Sequence, residues 1–282
     1  MALRRNTAIP LGFGRRGGRG LGKVRLLIGA VVVAFAVFSY FGSAEVNPIT
    51  GSRQYLGLSA DQEVALGLQA APEMMRQHGG EDRSLADQQL VDEVGARLVA
   101  RSRARETDWR WDFHLLADPD TINAFALPGG QVFVTRALYS RLETEGQLAG
   151  VLGHEIAHVI ARHGSQRMAK ANLTQGLLGA VAVASESAGA AQTAAMIGNL
   201  VNMKYGREDE LESDLLGVDF MVDAGYDPRA LMRVMEILRE AAGGRRQPEF
   251  TSTHPDPGNR IERIQEAILR KLPEGISPDL EP

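Results

Sequence analysis

His154-Glu155-Ile156-Ala157-His158 constrains this chain more than any other run of residues. Read as a helix, it sets the two histidines one turn apart, about 40° around the axis, so both imidazoles reach toward one point. Imidazoles at that spacing suit a single zinc ion, and Glu155, set to one side of the pair, is placed to hold and deprotonate a water there. Such a helix must pack its opposite face. Leu148, Leu152, Ile156, Val159 and Ile160 supply that face, which predicts one side buried and the other lining a cleft. Thr144 and Gln147 read as a capping box, and the helix is expected to run to about His163. The plain alternative for the same five residues is an amphipathic surface helix with two solvated histidines.

A catalytic zinc takes three protein ligands and keeps a fourth position open. His163 falls on the far side of the helix and is a poor ligand. Metzincins need a glycine and then a third histidine after the motif; Ala161 and Gly164 stand there, so that class is excluded. With no other histidine well placed nearby, a carboxylate is expected, and the helix around Tyr205–Val222 carries several. Glu208, Glu212 and Asp219 share one face and read as a solvated stripe. Glu210 and Asp214 lie one turn apart on the opposite side, beside Gly217, Val218 and Met221, where a buried acid wants a partner. Glu210 is therefore the expected third ligand. Asp214 is expected to accept a proton from a ligand imidazole and fix its tautomer.

The remaining chain sets the frame. Its 282 residues are 44% hydrophobic and 23% charged, enough for a large core. A net charge of -4 argues against a nucleic-acid partner, and the lack of cysteine excludes disulfides, thiolate ligands and cysteine lipidation. Arg4, Arg5, Arg15, Arg16, Arg19, Lys23 and Arg25 precede the first acid, Glu45. The apolar run Leu26–Phe41 spans about 24 Å, short of a ~30 Å hydrocarbon core but workable with its flanks. Residues 1–44 thus read as a basic leader with a membrane anchor, or as a signal peptide cleaved near Gly42-Ser43-Ala44. Both place the rest of the chain on the exported side. A mitochondrial transit sequence also suits an acid-free leader, although the glycines from Gly12 to Gly20 weaken its helix.

Residues 45–58 read as a linker. Ser59 and Gln62 cap a helix to about His78, and Leu90, Val94 and Leu98 mark a second over Leu85–Arg103. Trp111, Phe113 and Leu115 alternate as a strand, and Ile122–Leu127 and Gln131–Thr135 flank Pro128-Gly129-Gly130 as a hairpin. That small sheet either caps the helices or offers its edge to an extended polypeptide. The Ala/Gly/Ser-rich stretch 172–198 reads as a pliable helical excursion rather than a second membrane span. Ile261, Ile264, Ile268 and Leu272 form a packing helix, and residues 273–282 a frayed tail. The fold class is mainly α with a small β-sheet (α+β), one domain over residues 59–272.

The metal motif, Glu210 with Asp214, the run Ile122-Asn123-Ala124-Phe125-Ala126-Leu127-Pro128-Gly129-Gly130, Thr253-His254-Pro255 and Arg260-Ile261 together resemble peptidase family M48. These gluzincins include HtpX, the CAAX prenyl proteases and Oma-type proteases, and the resemblance covers roughly residues 45–272. It implies a zincin-like domain with one zinc on His154, His158 and Glu210 and with Glu155 as general base. It brings His254 and Arg260 to the metal as catalytic groups: either steadies the oxyanion, and His254 alternatively closes the fourth metal position at rest. Asn123 matches a family asparagine on the substrate-side strand, so Asn123, Ala124 and Phe125 are implied to bind substrate. The implied partners are unfolded or misfolded polypeptides of an envelope or membrane. A single N-terminal segment departs from the many-span members and fits a compact, singly anchored or secreted branch. A rival of another class is a zinc-stabilised periplasmic chaperone or assembly factor with little or regulated proteolysis.

Overall fold

An apolar N-terminal helix, α1 (Gly18–Gly42), leads into a hairpin of β1 (Ala44–Val46) and β2 (Arg53–Tyr55). The computed structural model describes residues 18–185, 205–243, 248–255 and 258–282. The leader before residue 18 and the part of the Ala/Gly-rich stretch from residue 186 lie outside the described residues. Gly22–Gly42 is long and apolar enough to cross a membrane; its 21 residues give about 31 Å. The hairpin replaces the expected linker. Asn47 donates from Nδ2 to the Ile160 carbonyl at 2.8 Å, and Gln54 from Nε2 to that of Ala161 at 2.7 Å. Both carbonyls end the metal helix and have no acceptor role within it, which is why the segment is fixed there.

Helix α2 (Ala60–Gln77) starts on the expected capping box of Ser59 and Gln62. Helix α3 (Leu85–Arg101) stops short of Arg103, because the Ser102 side chain accepts from Ala104 and winds the next residues into a 3-10 turn. Strands β3 (Asp112–Leu116), β4 (Ala124–Leu127) and β5 (Gln131–Thr135) make a sheet in the order β3-β5-β4. β4 and β5 are the expected hairpin, and β3 runs parallel to β5 with Phe113 opposite Val132 and Leu115 opposite Val134. β4 is therefore an edge.

After α4 (Arg136–Tyr139) come α5 (Glu145–Ile160) and α6 (His163–Ser185). Then follow α7 (Arg207–Ala224), α8 (Arg229–Ala242), α9 (Glu249–Thr253) and α10 (Arg260–Lys271). Every residue of helix α5 from Gly146 to Ile160 is buried, while His158 and Val159 line a cavity, in keeping with a helix that packs on one side and faces a cleft on the other. Its apolar stripe joins a core with Val94, Leu98, Val132, Val218 and Met221. α7 covers the other face, with Gly217 passing over Gly153 and His154. A Cβ on Gly217 would stand 3.4 Å from the backbone nitrogen of His154 and 3.6 Å from the carbonyl carbon of Gly153.

Helix α5 also ends earlier than expected. Arg162 adopts a φ of 53°, and a new helix starts at His163. Its guanidinium is pinned by Glu63 at 2.6 Å, Glu45 at 3.2 Å and the Leu58 carbonyl at 3.0 Å, contacts that offset the left-handed backbone. The tail does not fray. Gly146 donates to the Pro282 carbonyl at 3.0 Å, Glu281 to that of Gly225 at 3.0 Å, and Arg97 pairs with Glu281 at 2.6 Å.

Candidate metal centre

Helices α5 and α7 and the residue that closes α9 bring their polar side chains to one point. His154 and His158, Glu210 from the first turn of α7, and His254 each offer an atom within 4.8 Å of the others. The Nε2 atoms of His154 and His158 are 3.1 Å apart, and Glu210 lies 3.5 Å from each ring. His254 Nδ1 stands 3.1 Å from Glu210 Oε1 and 3.4 Å from His154 Nε2. All of these side chains are buried. His254 is fixed from below by Phe250, whose ring stacks on it at 4.3 Å, and Phe250 donates its backbone N–H to the Ile122 carbonyl beside β4.

The surrounding charge explains how the cluster is poised. Burial opposes a charge on His154, but Asp214 at 3.0 Å from Nδ1 and Glu210 at 3.5 Å from Nε2 overcome it and hold the ring up to about 9. His158 moves the other way, because burial and the neighbouring positive rings push it well below its ordinary value. Burial would raise Glu210, yet His254 and His154 hold it well below the usual carboxylate range. Glu155 is raised by burial, and both of its oxygens lack a hydrogen-bond partner; His254 Nε2, at 3.7 Å, is too far to serve.

These residues fit zinc. Two imidazoles and a carboxylate, with a further imidazole as the fourth donor, are the ligand chemistry of a tetrahedral zinc site. Buried Glu155, both of whose oxygens are unpartnered, stands beside the converging donors and wants positive charge nearby. A divalent cation at the shared point supplies it.

The expected supporting residues lie close by. Arg260 donates to Asp214 from Nε at 2.7 Å and Nη2 at 2.6 Å, and its Nη1 is 3.1 Å from Glu210 Oε2. Its guanidinium therefore faces the carboxylates on the ligand side. Asn123 is buried with its Oδ1 unpartnered, at the wall of a cavity of about 530 Å³ whose floor includes His158 and His254. Phe125 lines the same cavity and stacks on Phe133 at 4.9 Å. Ala124 does not; its side chain points into the core, as alternation along β4 requires.

Other residues at the site carry little sequence signal. The break at Arg162 swings His163 beside the motif, with Nδ1 2.9 Å from His158 Nδ1 and Nε2 3.1 Å from Glu212 Oε2. Glu212, read from the sequence as part of a solvated stripe, is thus a half-buried partner, and although the sequence predicts a stop near His163, no local signal tells that His163 turns back onto the motif. The Tyr205 ring stacks on His158 at 3.8 Å under the Arg167 guanidinium, which lies 3.6 Å from its centre. A lone tyrosine ahead of a glycine cap gives no warning of that contact.

The sequence profile of Peptidase family M48 matches residues 85–268, well over half of the chain and all of the residues that form the cluster. The chain belongs to peptidase family M48. It is similar to the mitochondrial metalloendopeptidase OMA1 of Schizosaccharomyces pombe, 32% identical over 245 residues, which cover 85% of this chain and 71% of that protein. The beta-barrel assembly-enhancing protease of Escherichia coli is 33% identical over 254 residues, 84% of this chain and 50% of its own length. Human mitochondrial OMA1 is 29% identical over 266 residues, 89% of this chain and 50% of its own. The M48 chain thus spans about half the length of these bacterial and human relatives. As a family member it is a metallopeptidase, and its helical domain with a small sheet is the α+β architecture anticipated from the sequence. The profile begins at Leu85 and leaves out α1, the β1–β2 hairpin and α2.

Proposed function

We propose that this M48 peptidase is a zinc-dependent endopeptidase for extended segments of unfolded or misfolded envelope proteins. In this reading α1 holds it to a membrane with the catalytic domain on the exported side. One observation carries the proposal: four converging donors stand beside a buried, unpartnered glutamate. His154, His158 and Glu210 would hold zinc. Bound zinc supplies Lewis-acid polarisation of the scissile carbonyl and a pKa toward about 7 for the attacking water.

The chain's own residues do the rest. Glu155 takes the proton of the attacking water and returns it to the leaving amine; its burial-raised pKa lets the carboxyl keep that proton between the two steps. Asp214 fixes the tautomer of His154, and Arg260 clamps Asp214 in place. His254 closes the fourth donor position and must swing aside before a carbonyl can enter. The edge of β4 aligns the peptide through backbone pairing, and Asn123 Oδ1 accepts an N–H from it. Pairing through the backbone asks little of side chains, which suits unfolded substrates.

The test is Glu155→Gln in purified, zinc-loaded protein. Casein cleavage is expected to fall by about 100-fold or more. Cleavage at the wild-type rate would remove Glu155 from the chemistry. Since His254 closes the donor set, a chaperone with switched proteolysis is the second reading. Suppression of client aggregation that is equal in wild type and Glu155→Gln would favour it.

A further inference from the structure

Helix α6 leaves the catalytic domain and runs back along α1. Met168 and Ala169 lie against Gly57, just beyond β2, while Gly176 meets α1 so closely that a Cβ on it would stand 2.5 Å from that of Ala36. The pair is therefore antiparallel. Gly29, Val32, Val33, Ala36 and Tyr40 form a buried or half-buried stripe on α1, and Ala169, Leu173, Gly176 and Ala180 form one on α6. Spacings of three and four residues keep each stripe on one face. Small residues at the crossing let the backbones approach as in membrane helix pairs.

The outward face of α1 is apolar around Phe35 and Phe38, and that of α6 turns apolar at Leu177 and Leu178, past the exposed Asn172 and Thr174 of its headgroup-level turn. Phe35 and Phe38 are 71% and 77% exposed on α1, and Leu177 and Leu178 are 39% and 51% exposed on α6. No charged residue stands between Lys170 and Glu186. A second feature marks where a bilayer surface would lie. Tyr40 stacks on Tyr55 at 4.7 Å and Phe41 meets the same ring at 5.6 Å, an aromatic cluster at the domain end of α1. Such rings settle at headgroup level. Ala36 lies about 9 Å below the end of α1 at Gly42, and Gly176 about 9 Å beyond Lys170, so exposed Lys170 stands level with the aromatic cluster.

We propose that α6 beyond Lys170 is inserted in the bilayer beside α1, with Leu177 and Leu178 against acyl chains. This rests on the membrane-anchored reading of α1. The helix reaches Ser185 about 22 Å below the level of Lys170, a dip that does not cross a ~30 Å core within the described residues. The insertion sets the position of the active site. Gly164, Arg167 and Met168 wall the cavity from the first turns of α6, within about 10 Å of the headgroups. The substrate class that follows is polypeptide emerging from the bilayer surface.

The chain has no cysteine, so single ones report cleanly. Leu178→Cys and, as the reference, Leu85→Cys on the catalytic domain, 84% exposed, are placed in the full chain in phosphatidylcholine–phosphatidylglycerol vesicles. With a membrane-impermeant maleimide, Leu178→Cys is expected to label at least tenfold more slowly than Leu85→Cys, and equally fast after urea and detergent. A bimane at position 178 is expected to be quenched by nitroxide-bearing lipid, which separates lipid contact from shielding by protein. Equal labelling in vesicles, or slow labelling without quenching, would overturn the insertion while leaving the anchor intact. Release of the chain by carbonate would overturn the anchor and the insertion together. Neither result bears on casein cleavage, which tests the catalytic reading alone.

Discussion

Arg260 grips Asp214 through two nitrogen–oxygen contacts, at 2.6 and 2.7 Å, on the Nδ1 side of His154, while its third nitrogen lies 3.1 Å from Glu210. The pair links α10 to α7 and, through His154, to α5. Loss of the guanidinium would leave two buried carboxylates, Asp214 and Glu210, without their cation. Arg260→Ala is therefore expected to destabilise the fold by about 3–5 kcal/mol in urea denaturation. Asp214→Asn, which keeps the shape and loses the charge, is expected to weaken zinc affinity by about 10–100-fold in competition with a chelator. Unchanged affinity would mean that His154 needs no orienting partner.

His163 supports the other histidine of the motif. It lies 2.9 Å from His158 Nδ1 and passes the contact to Glu212 at 3.1 Å. His163→Ala is expected to cost about tenfold or more in zinc affinity, and Glu212→Gln less, because Glu212 is partly exposed. An equal loss in both variants would show that the charge of Glu212, rather than the placing of His158, controls the site.

These two partnerships mark how far the sequence could be read. The motif spacing, the capping residues Ser59 and Gln62, the Pro128-Gly129-Gly130 turn and the opposite faces of α7 all rest on local geometry, so helices, hairpin and the Glu210–Asp214 pair were legible. The contact of His163 with His158 depends on a left-handed Arg162 held by Glu63, Glu45 and the Leu58 carbonyl, all distant in sequence. The full burial of α5 was likewise hidden, since it depends on which helix passes over Gly153. Residues 45–58 and 273–282 lack hydrophobic periodicity and read as linker and tail. They are ordered by hydrogen bonds to the ends of α5, a tertiary cause with no local signature.

The α5–α7 crossing can be tested at Gly217. A methyl group there would meet its neighbours at ordinary contact distances of 3.4 Å and more, so Gly217→Ala should fold and bind zinc nearly as wild type does. Gly217→Leu must push α7 away from His154, with about 1–3 kcal/mol or more of overpacking and a larger loss of zinc affinity than of stability. Both are read from denaturation midpoints and metal titration. A leucine variant with intact zinc binding would show that α7 has room to shift without moving Glu210.

Acid stability should report on Asp118, which pairs with His78 just beyond the end of β3. Burial would raise its carboxyl, but His78 at 2.9 Å and the backbone N–H groups of Asp120 and Thr121 hold it down to about 2. In the unfolded chain it titrates near about 4. Its contribution, on the order of 2 kcal/mol, is then complete above about pH 4 and lost as the pH falls through about 2. Asp118→Asn is expected to flatten that part of the stability–pH curve. A wild-type curve already flat between those values would contradict it.

Zinc content and casein cleavage measured on the same purified samples of wild type, Glu155→Gln and Glu210→Gln test the central claim most directly. Wild type should hold about one zinc per chain and cleave. Glu155→Gln should keep its zinc and lose cleavage, while Glu210→Gln should lose both. If Glu210→Gln binds zinc as tightly as wild type and still cuts, the centre is not built on His154, His158 and Glu210.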